Sequence, residues 1–310
     1  MSVSSQAGRT IKLNNGREVP MIGLGTWAPS TGTARQDAWT WILSAIKAGY
    51  RHLDTAQGYG TEKAVSKAFK ESGLKREEIH VTTKLPFNHG VRVKESFNES
   101  LANLDMDYID LYLVHFPQVI EYQENGELPK NPDGTLKTVD YPTFVEIWAE
   151  MEDILREGKA KSIGVSNFSI KNLEILLKHA KVVPANNQVE NHPYLQQNDL
   201  RKYCKEKGIV LSAYTPSGYD TVRNDPVIVE LAKKYSVSSN QIIIAWHLAR
   251  GMVVVPKSTN EERQKENVNL PTLAEEDVEK INALDRGERL CNKADEKGYC
   301  WGWTMEQLGW

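Results

Sequence analysis

The stretch RHLDTAQGYGTE, residues 51–62, joins a strand-like run to residues that neither a strand nor a turn requires. The apolar run ends on Asp54, and Tyr59 follows five residues later between two glycines. A core strand needs no carboxylate, and turns favour glycine, proline or asparagine over tyrosine. The segment therefore looks like one strand–loop unit whose loop carries chemistry.

Eight runs with strand character, this one included, alternate with helical patterns along the chain. The runs are Met21–Leu24, Arg51–Asp54, Ile79–Lys84, Ile109–His115, Ser162–Ser166, Ala185–Glu190, Val210–Tyr214 and Met252–Pro256. Between them, apolar residues recur at i, i+3 and i+4, as in the stripe Ala38-Trp41-Ile42-Ala45-Ile46. Several runs are apolar without alternation, as expected when both faces are covered. Eight such units predict an α/β fold, a (β/α)8 or TIM barrel.

Three segments fall outside this repeat. Thr10–Leu13 and Glu18–Val19 flank an Asn-Asn-Gly turn and predict an N-terminal β-hairpin that could plug the bottom of the barrel. Residues 118–142 form a long turn-rich insertion, and residues 286–310 form an aromatic tail. Loops this long in a compact domain are usually functional or disordered, and four aromatics near the end of the tail argue against disorder. We expect one domain, residues 1–310, with long loops at the C-terminal face and the tail covering the active site.

Two other architectures compete with this prediction. An open doubly wound sheet carries G-x-G-x-x-G after its first strand, and Gly23-Leu24-Gly25-Thr26-Trp27 lacks the third glycine. A barrel isomerase acting on sugar phosphates would combine a phosphate loop after strands seven and eight with a glutamate base, and no such base is evident.

Composition limits the range of partners. The chain has 310 residues, of which 40% are hydrophobic and 25% charged, and its formal net charge is −3. Basic and acidic residues are mixed without long single-sign runs, so we expect neither nucleic acid nor a membrane surface as a partner. Short loops and the lack of an obvious exposed apolar helix favour a monomer.

The cysteines and the N-terminal residues indicate in which cellular compartment the protein is expected. Cys204, Cys291 and Cys300 form no C-x-x-C motif, so we expect no metal site and no disulfide framework, although two of them lie close enough in sequence to leave a pairing open. Residues 1–9 are polar and lack the apolar core of a signal peptide. We expect a cytoplasmic protein.

Polar residues end three consecutive predicted strands. Asp54 ends the second strand, Lys84 the third and His115 the fourth, while Tyr59 lies on the loop after the second. In a barrel, the carboxyl ends of the strands surround one mouth, so these four side chains should meet. Any one of them alone would more often be structural, but their conjunction on neighbouring strands is a strong signal.

The four side chains form a consistent chemical group. The tyrosine pKa near 10 is too high for efficient proton transfer at neutral pH, and a nearby ammonium group lowers it. The buried Lys84 needs a counter-charge, which Asp54 can supply. His115 can donate a hydrogen bond to a carbonyl oxygen. Such a site suits protonation of an alkoxide as it forms, as in carbonyl reduction.

The chain resembles the aldo-keto reductase family over nearly its whole length. The matching stretches are GLGTW (23–27), HLDTAQGYGTE (52–62), TTKL (82–85), LANLDMDYIDLYLVHFP (101–117), GKAKSIGVSNF (158–168), NQVENHP (187–193) and VVPKSTNEERQKEN (254–267). The resemblance implies that Asp54, Tyr59, Lys84 and His115 are the catalytic tetrad. It also implies that Tyr59 is the general acid.

The resemblance further implies a nicotinamide cofactor bound across the barrel mouth. Ser166, Asn167 and Gln188 would then bond its carboxamide, Tyr214 would stack on the nicotinamide ring, and Thr26, Trp27 and Asp54 would flank it. The loop Thr215-Pro216-Ser217 departs from the S-P-L-G of many relatives and soon reaches a helical pattern near Pro226. We therefore expect a short clamp, weaker burial of the pyrophosphate and fast cofactor release.

Cationic and hydroxyl residues follow the eighth strand at the start of a helical pattern. Lys257, Ser258, Thr259 and Arg263 together make a site suited to a phosphate dianion. The resemblance implies that they hold the adenosine 2′-phosphate, so that NADP(H) is favoured over NAD(H), and that Glu266 and Asn267 hold the adenine. Without the family pattern, Lys257 and Arg263 are equally well read as surface cations.

Aromatic side chains are the candidates for the substrate pocket. Beside Tyr59 and His115, the expected lining residues are Trp27, Phe87, Phe116, Trp301 and Trp303. The resemblance implies an NADPH-dependent reductase of aldehydes and ketones, with glyceraldehyde, aldoses, uronates and aromatic aldehydes as candidate substrates and polyol oxidation as the reverse reaction. An NADP(H)-binding redox-sensing or regulatory subunit, or a structural protein, on the same fold stays open as the alternative.

Overall fold

The computed structural model describes residues 3–310; residues 1 and 2, at the start of the polar segment 1–9, lie outside it. The strands are β1 (Val3–Ser5), β2 (Thr10–Lys12), β3 (Glu18–Pro20), β4 (Leu24–Gly25), β5 (His52–Asp54), β6 (His80–Leu85), β7 (Leu111–Val114), β8 (Ile163–Ser166), β9 (Asn186–Glu190), β10 (Val210–Tyr214), β11 (Val253–Val254), β12 (Asn269–Pro271), β13 (Tyr299–Cys300) and β14 (Trp303–Thr304). The helices are α1 (Ala34–Lys47), α2 (Glu62–Ser72), α3 (Val93–Leu104), α4 (Phe144–Arg156), α5 (Ile170–Leu177), α6 (Asn198–Glu206), α7 (Tyr219–Arg223), α8 (Pro226–Tyr235), α9 (Ser239–Ala249), α10 (Glu261–Val268), α11 (Glu275–Asn282) and α12 (Met305–Leu308).

The strands β4 to β11 form one parallel sheet in which every strand pairs with its neighbour in sequence. The sheet closes on itself, because Ile22 bridges Val254 in parallel and the Gly23 N–H donates to the Val254 carbonyl at 2.8 Å. Each of the eight predicted runs overlaps one of these strands. The (β/α)8 barrel prediction is confirmed.

The helices around the barrel follow the predicted apolar stripes. In α1, Ala38, Ile42, Ala45 and Ile46 are buried, while Trp41 is half-buried beside them. Burying such a stripe against the sheet supplies most of the stability of a helix in a globular protein. The structure thus confirms the helical period of apolar residues on which the fold prediction rests.

The N-terminal hairpin covers the bottom of the barrel. Strands β2 and β3 pair antiparallel, and the hairpin residues Leu13 and Val19 are buried in one cluster with Ala185 and Val253. Those two partners lie at the amino ends of β9 and β11. The hairpin therefore closes the end opposite the candidate site, as the sequence predicted.

The insertion 118–142 and the tail 286–310 pack against each other. The Gln118 side chain donates to the carbonyls of Cys300 and Trp301, at 3.4 and 3.2 Å. Gly302 has a φ of +87°, and a Cβ there would lie 2.8 Å from the Thr138 side chain, so the close approach requires glycine. Within residues 3–310, no helix has both the length and the apolar character needed to span a membrane.

Candidate active site

The barrel brings the four predicted tetrad residues to one mouth. Asp54 is the last residue of β5, Lys84 is the last but one of β6, and His115 directly follows β7. Tyr59 ends a single 3₁₀ turn, residues 57–59, in the loop after β5. Because β5, β6 and β7 are adjacent and parallel, their carboxyl ends converge on the same face.

A buried ion pair is the centre of this group. The Lys84 ammonium donates to Asp54 Oδ1 at 2.7 Å and to the Thr55 carbonyl at 2.8 Å, and the two side chains are only 0% and 3% exposed. The other Asp54 oxygen accepts from Gln188 Nε2 at 2.6 Å. Burial alone would lower the pKa of Lys84, but its neighbours, above all the negative charge of Asp54, outweigh it and raise that pKa. Lys84 therefore stays protonated.

The Tyr59 ring lies between Lys84 and His115. The Lys84 ammonium is 5.0 Å from the centroid of the tyrosine ring, and the His115 ring meets it edge-on at 5.7 Å. Burial raises the pKa of Tyr59 above its usual value, and the opposing charge of Lys84 only offsets part of this. Lys84 acts on this pKa in the direction that the sequence predicted, but desolvation of the phenolate outweighs the attraction of the ammonium, so the net shift is upward. Tyr59 is a phenol at neutral pH.

His115 is a neutral imidazole. Burial lowers its pKa well below the usual value, and the positive charge of Lys84 lowers it further. A neutral imidazole has one N–H donor and one acceptor nitrogen. It can hold a carbonyl oxygen by a hydrogen bond, but it is not a cationic acid at physiological pH.

The residues expected to hold the nicotinamide form one hydrogen-bonded group beside the tetrad. Ser166 Oγ donates to the Gln188 carbonyl at 2.7 Å, and Asn167 Nδ2 donates to the His115 carbonyl at 2.9 Å and to Ser166 Oγ at 3.2 Å. The Tyr214 hydroxyl donates to Asn167 Oδ1 at 2.7 Å. Asn167 holds a φ of +66°, a conformation that non-glycine residues adopt at sites under local constraint.

Thr26 and Trp27 follow β4 at the same mouth. The Thr26 backbone and hydroxyl both donate to the Asp54 carbonyl, at 2.9 and 3.1 Å, so this threonine is buried behind the ion pair. Trp27 instead projects from the surface and is 52% exposed.

The predicted phosphate-binding residues lie where β11 leads into α10. Asn260 caps α10 by accepting from the Arg263 N–H at 2.9 Å, and Ser258 Oγ accepts from the Asn260 N–H at 3.2 Å. Neither Lys257 nor Arg263 makes an ion pair with any residue in 3–310. Thr259 is exposed between them. Two cations and a helix N-terminus suit a phosphate dianion.

The remaining predicted cofactor residues flank α10. Asn267 is buried and accepts from Asn240 Nδ2 at 2.6 Å, while Glu266 lines an open surface depression of about 550 Å³. Ser217 bonds the same Asn240 through its hydroxyl. The loop Thr215–Gly218 is short, because α7 already begins at Tyr219, before the helix expected near Pro226.

Three of the five predicted pocket aromatics form a cluster, and two, Trp27 and Trp303, lie outside it. Phe87 lies 5.9 Å from Phe116 and 5.7 Å from Trp301, between ring centroids, and Trp301 is 43% exposed. The ring of Phe116 is 5.3 Å from that of His115, which joins the cluster to the tetrad. Trp303 instead packs against the main hydrophobic core. We call Phe87, Phe116 and Trp301 the aromatic wall.

The sequence did not identify two residues that organise the mouth. Glu190 ends β9 with no exposed surface, and Asn292 lies in the tail between Tyr214 and Trp301. A carboxylate at the end of a predicted strand was the available signal for Glu190, as it was for Asp54. Cys300 is buried, which raises the pKa of its thiol to about 11, whereas Cys291 is exposed.

Comparison with known proteins decides the family. The model of the aldo/keto reductase family matches residues 21–286. The chain belongs to the aldo/keto reductase family. That region of this aldo/keto reductase contains the whole barrel and all four tetrad residues.

Individual relatives support this assignment. This aldo/keto reductase is 43% identical to glycerol 2-dehydrogenase (NADP(+)) of Saccharomyces cerevisiae, over 91% of the chain and 93% of the relative. It is 40% identical to the D-galacturonate reductase of Hypocrea jecorina, over 94% of each. Among solved structures, the aldose reductase of Schistosoma japonicum matches with a TM-score of 0.85 and 33% identity, over 92% of this chain and 94% of that one. The protein is an oxidoreductase.

We predict that Lys84→Met destabilises the fold by about 3–5 kcal/mol, because it leaves the Asp54 carboxylate buried without its counter-charge. The double variant Lys84→Met/Asp54→Asn should regain part of this loss, since the remaining amide is neutral. Urea unfolding of the two variants and the wild type measures both effects. A single variant as stable as the wild type, or a double variant no better than the single one, would contradict the ion pair.

Proposed function

We propose that the chain reduces aldehydes and ketones to alcohols with NADPH, with Tyr59 as the proton donor, and oxidises polyols and other alcohols in reverse. The observation that carries this proposal is the buried Lys84–Asp54 pair beside a protonated Tyr59 and a neutral His115. Nothing in a barrel core requires these four groups together.

Each tetrad residue has a distinct role in the proposed reaction. When bound, NADPH supplies the hydride that reaches the carbonyl carbon. Tyr59 gives its hydroxyl proton to the carbonyl oxygen, and the nearby Lys84 charge stabilises the phenolate that remains until solvent returns the proton. Asp54 keeps Lys84 charged and in place. His115 donates a hydrogen bond that orients the carbonyl oxygen.

The residues at the mouth fit a nicotinamide cofactor. Asn167 Oδ1 accepts one hydrogen bond from Tyr214 and has a second lone pair for a carboxamide N–H. Gln188 uses Nε2 for Asp54, which leaves its amide oxygen available as an acceptor. At the other end, Lys257 and Arg263 beside the α10 N-terminus suit the 2′-phosphate that distinguishes NADPH from NADH. Glu266 and Asn267 are the proposed adenine partners, and Thr215, Pro216 and Ser217 the proposed short clamp.

The substrate class rests on the aromatic wall and on the relatives. The wall places apolar surface beside the tetrad, where Phe116 meets His115, and such a surface suits the carbon skeleton of an aldehyde. The exposed Trp27 is a further proposed lining residue. The relatives named above act, by their names, on glycerol and D-galacturonate, and another 40% identical relative is the aldehyde reductase YPR1 of Saccharomyces cerevisiae. We propose glyceraldehyde, aldoses, uronates and aromatic aldehydes as candidate substrates, and the tail 286–310 as the cover of the pocket.

The proposed reaction predicts that Tyr59→Phe abolishes turnover without abolishing cofactor binding. NADPH oxidation should be measured with glyceraldehyde, xylose, galacturonate and an aromatic aldehyde. Loss of the general acid should reduce kcat about 10²- to 10⁴-fold for every substrate that the wild type accepts, while fluorescence titration shows NADPH binding unchanged within about threefold.

Two outcomes would contradict the proposal. A wild-type chain that binds NADPH tightly and reduces none of these substrates would favour the cofactor-sensing subunit instead. A Tyr59→Phe variant that keeps wild-type turnover would exclude Tyr59 as the acid.

The proposed 2′-phosphate site predicts a selective loss of NADPH affinity. Lys257→Ala/Arg263→Ala should raise the dissociation constant for NADPH about 10- to 100-fold, because each cation makes charge-assisted contacts with the phosphate. Affinity for NADH, which lacks that phosphate, should change far less. Lys265→Ala is the matched control, since Lys265 is also on α10 but pairs with Glu261 at 2.8 Å. Equal losses for NADPH and NADH would contradict the assignment.

A further inference from the structure

One buried carboxylate fixes residues 290–292 of the tail to the barrel mouth. Glu190 accepts from three consecutive backbone N–H groups, those of Leu290, Cys291 and Asn292, at 2.6, 2.9 and 3.2 Å. It also bonds His192 Nε2 at 3.1 Å. Burial would raise the pKa of Glu190, but these hydrogen bonds outweigh it and lower that pKa, so the group stays a carboxylate. The backbone of residues 290–292 therefore has one defined position.

That position places the Asn292 amide between two functional side chains. Asn292 Nδ2 donates to the Tyr214 hydroxyl at 2.5 Å, and Asn292 Oδ1 accepts from Trp301 Nε1 at 3.0 Å. One short polar side chain thus joins the residue proposed to stack on the nicotinamide to the exposed edge of the aromatic wall.

The direction of every bond in this connection is determined. An indole N–H can only donate, so the amide oxygen of Asn292 must face Trp301. Burial raises the pKa of Tyr214 well above its usual value, so its hydroxyl stays protonated. The hydroxyl therefore donates a hydrogen bond to Asn167. Asn167 in turn donates to the carbonyl of His115. Trp301 thus donates to Asn292, Asn292 to Tyr214, and Tyr214 to Asn167. Hydrogen bonds aligned in this way strengthen one another.

Trp301 is held in a conformation that it would not adopt by itself. Its φ of +51° lies in the left-handed region, which is unfavourable for a residue with a side chain. The hydrogen bond that its indole donates to Asn292 and the one that its carbonyl accepts from Gln118 offset this cost. A strained residue fixed from two sides indicates that its orientation over the mouth matters.

We propose that Asn292 is a positioning residue that sets both the aromatic wall and the cofactor platform, so that it determines preference for aromatic over small aldehydes and contributes to NADPH affinity. The proposal rests on the function proposed above. Asn292 touches neither reacting atom; it acts through Trp301 on the substrate side and through Tyr214 on the cofactor side.

Substitutions can separate the effect of Asn292 on substrate preference from its effect on NADPH affinity. Asn292→Ala removes both bonds, so the ratio of kcat/KM for benzaldehyde to that for glyceraldehyde should fall about 5- to 20-fold, and the dissociation constant for NADPH should rise about 3- to 10-fold. Asn292→Asp keeps an acceptor for Trp301 but cannot donate to Tyr214, so it should raise the NADPH dissociation constant and preserve the ratio. Trp301→Phe keeps a ring but no donor, so it should lower the ratio and leave NADPH affinity near that of the wild type.

Lys293→Ala is the matched control, because Lys293 is the next residue and is exposed. In the double variant Asn292→Ala/Trp301→Phe, the loss in substrate ratio should be no larger than in the worse single variant, since both remove the same bond. Thermal unfolding of all variants identifies any global loss of structure.

Three results would overturn the proposal. They are an Asn292→Ala variant that behaves like the Lys293→Ala control, equal losses for both aldehydes in Asn292→Ala, and additive losses of the substrate ratio in the double variant. If the wild type binds NADPH but reduces neither aldehyde, the proposed function fails instead. The NADPH dissociation constants of Asn292→Ala and Asn292→Asp still decide the cofactor side in that case, because binding needs no turnover.

Discussion

The ion pair between Lys84 and Asp54 is the constraint on which the site depends. An ammonium group with no exposed surface must have a partner, and the register of adjacent parallel strands supplies one at 2.7 Å. The charge of Lys84 opposes the effect of burial on Tyr59, whose pKa is nevertheless raised. The same charge, with burial, keeps His115 neutral. The geometry of the barrel strands therefore determines the protonation states of the side chains at the mouth.

A second buried carboxylate, Glu190, fixes part of the tail by hydrogen bonds, as Asp54 fixes Lys84. It is buried at the end of a barrel strand and fixes groups that come from elsewhere, here the backbone of residues 290–292. The tail then brings Asn292 to Tyr214 and Trp301. The strand ends thus provide rigid anchors for the segments that follow them. In TIM-barrel enzymes generally, variation in such loops lets one fold support many reactions and substrates.

The period of the apolar residues was sufficient to predict the barrel, because eight strand–helix units leave few other packings. The proximity of Asp54, Lys84 and His115 was predictable because they lie at the ends of adjacent parallel strands, and Tyr59 follows the first of these strands by five residues. The tail was not predictable in the same way. The half-buried Trp303 packs against the core and Trp301 joins the aromatic wall, although the two lie two positions apart in the same β13–β14 hairpin. The position of this hairpin depends on long-range contacts, such as those of Gln118. The pKa of Tyr59 also required the structure, since desolvation and the lysine charge act in opposite directions.

The pH dependence of kcat/KM for glyceraldehyde reduction, at saturating NADPH, tests the assignment of protonation states most directly. His115 has a lowered pKa and loses its proton below neutrality, while Tyr59 has a raised pKa and keeps its proton beyond pH 10. Between pH 6.5 and 9, neither group titrates, so the profile should be flat and should fall only at higher pH as Tyr59 ionises. A bell-shaped profile with a limb between pH 7 and 8 would contradict a neutral imidazole and a protonated phenol as the working state.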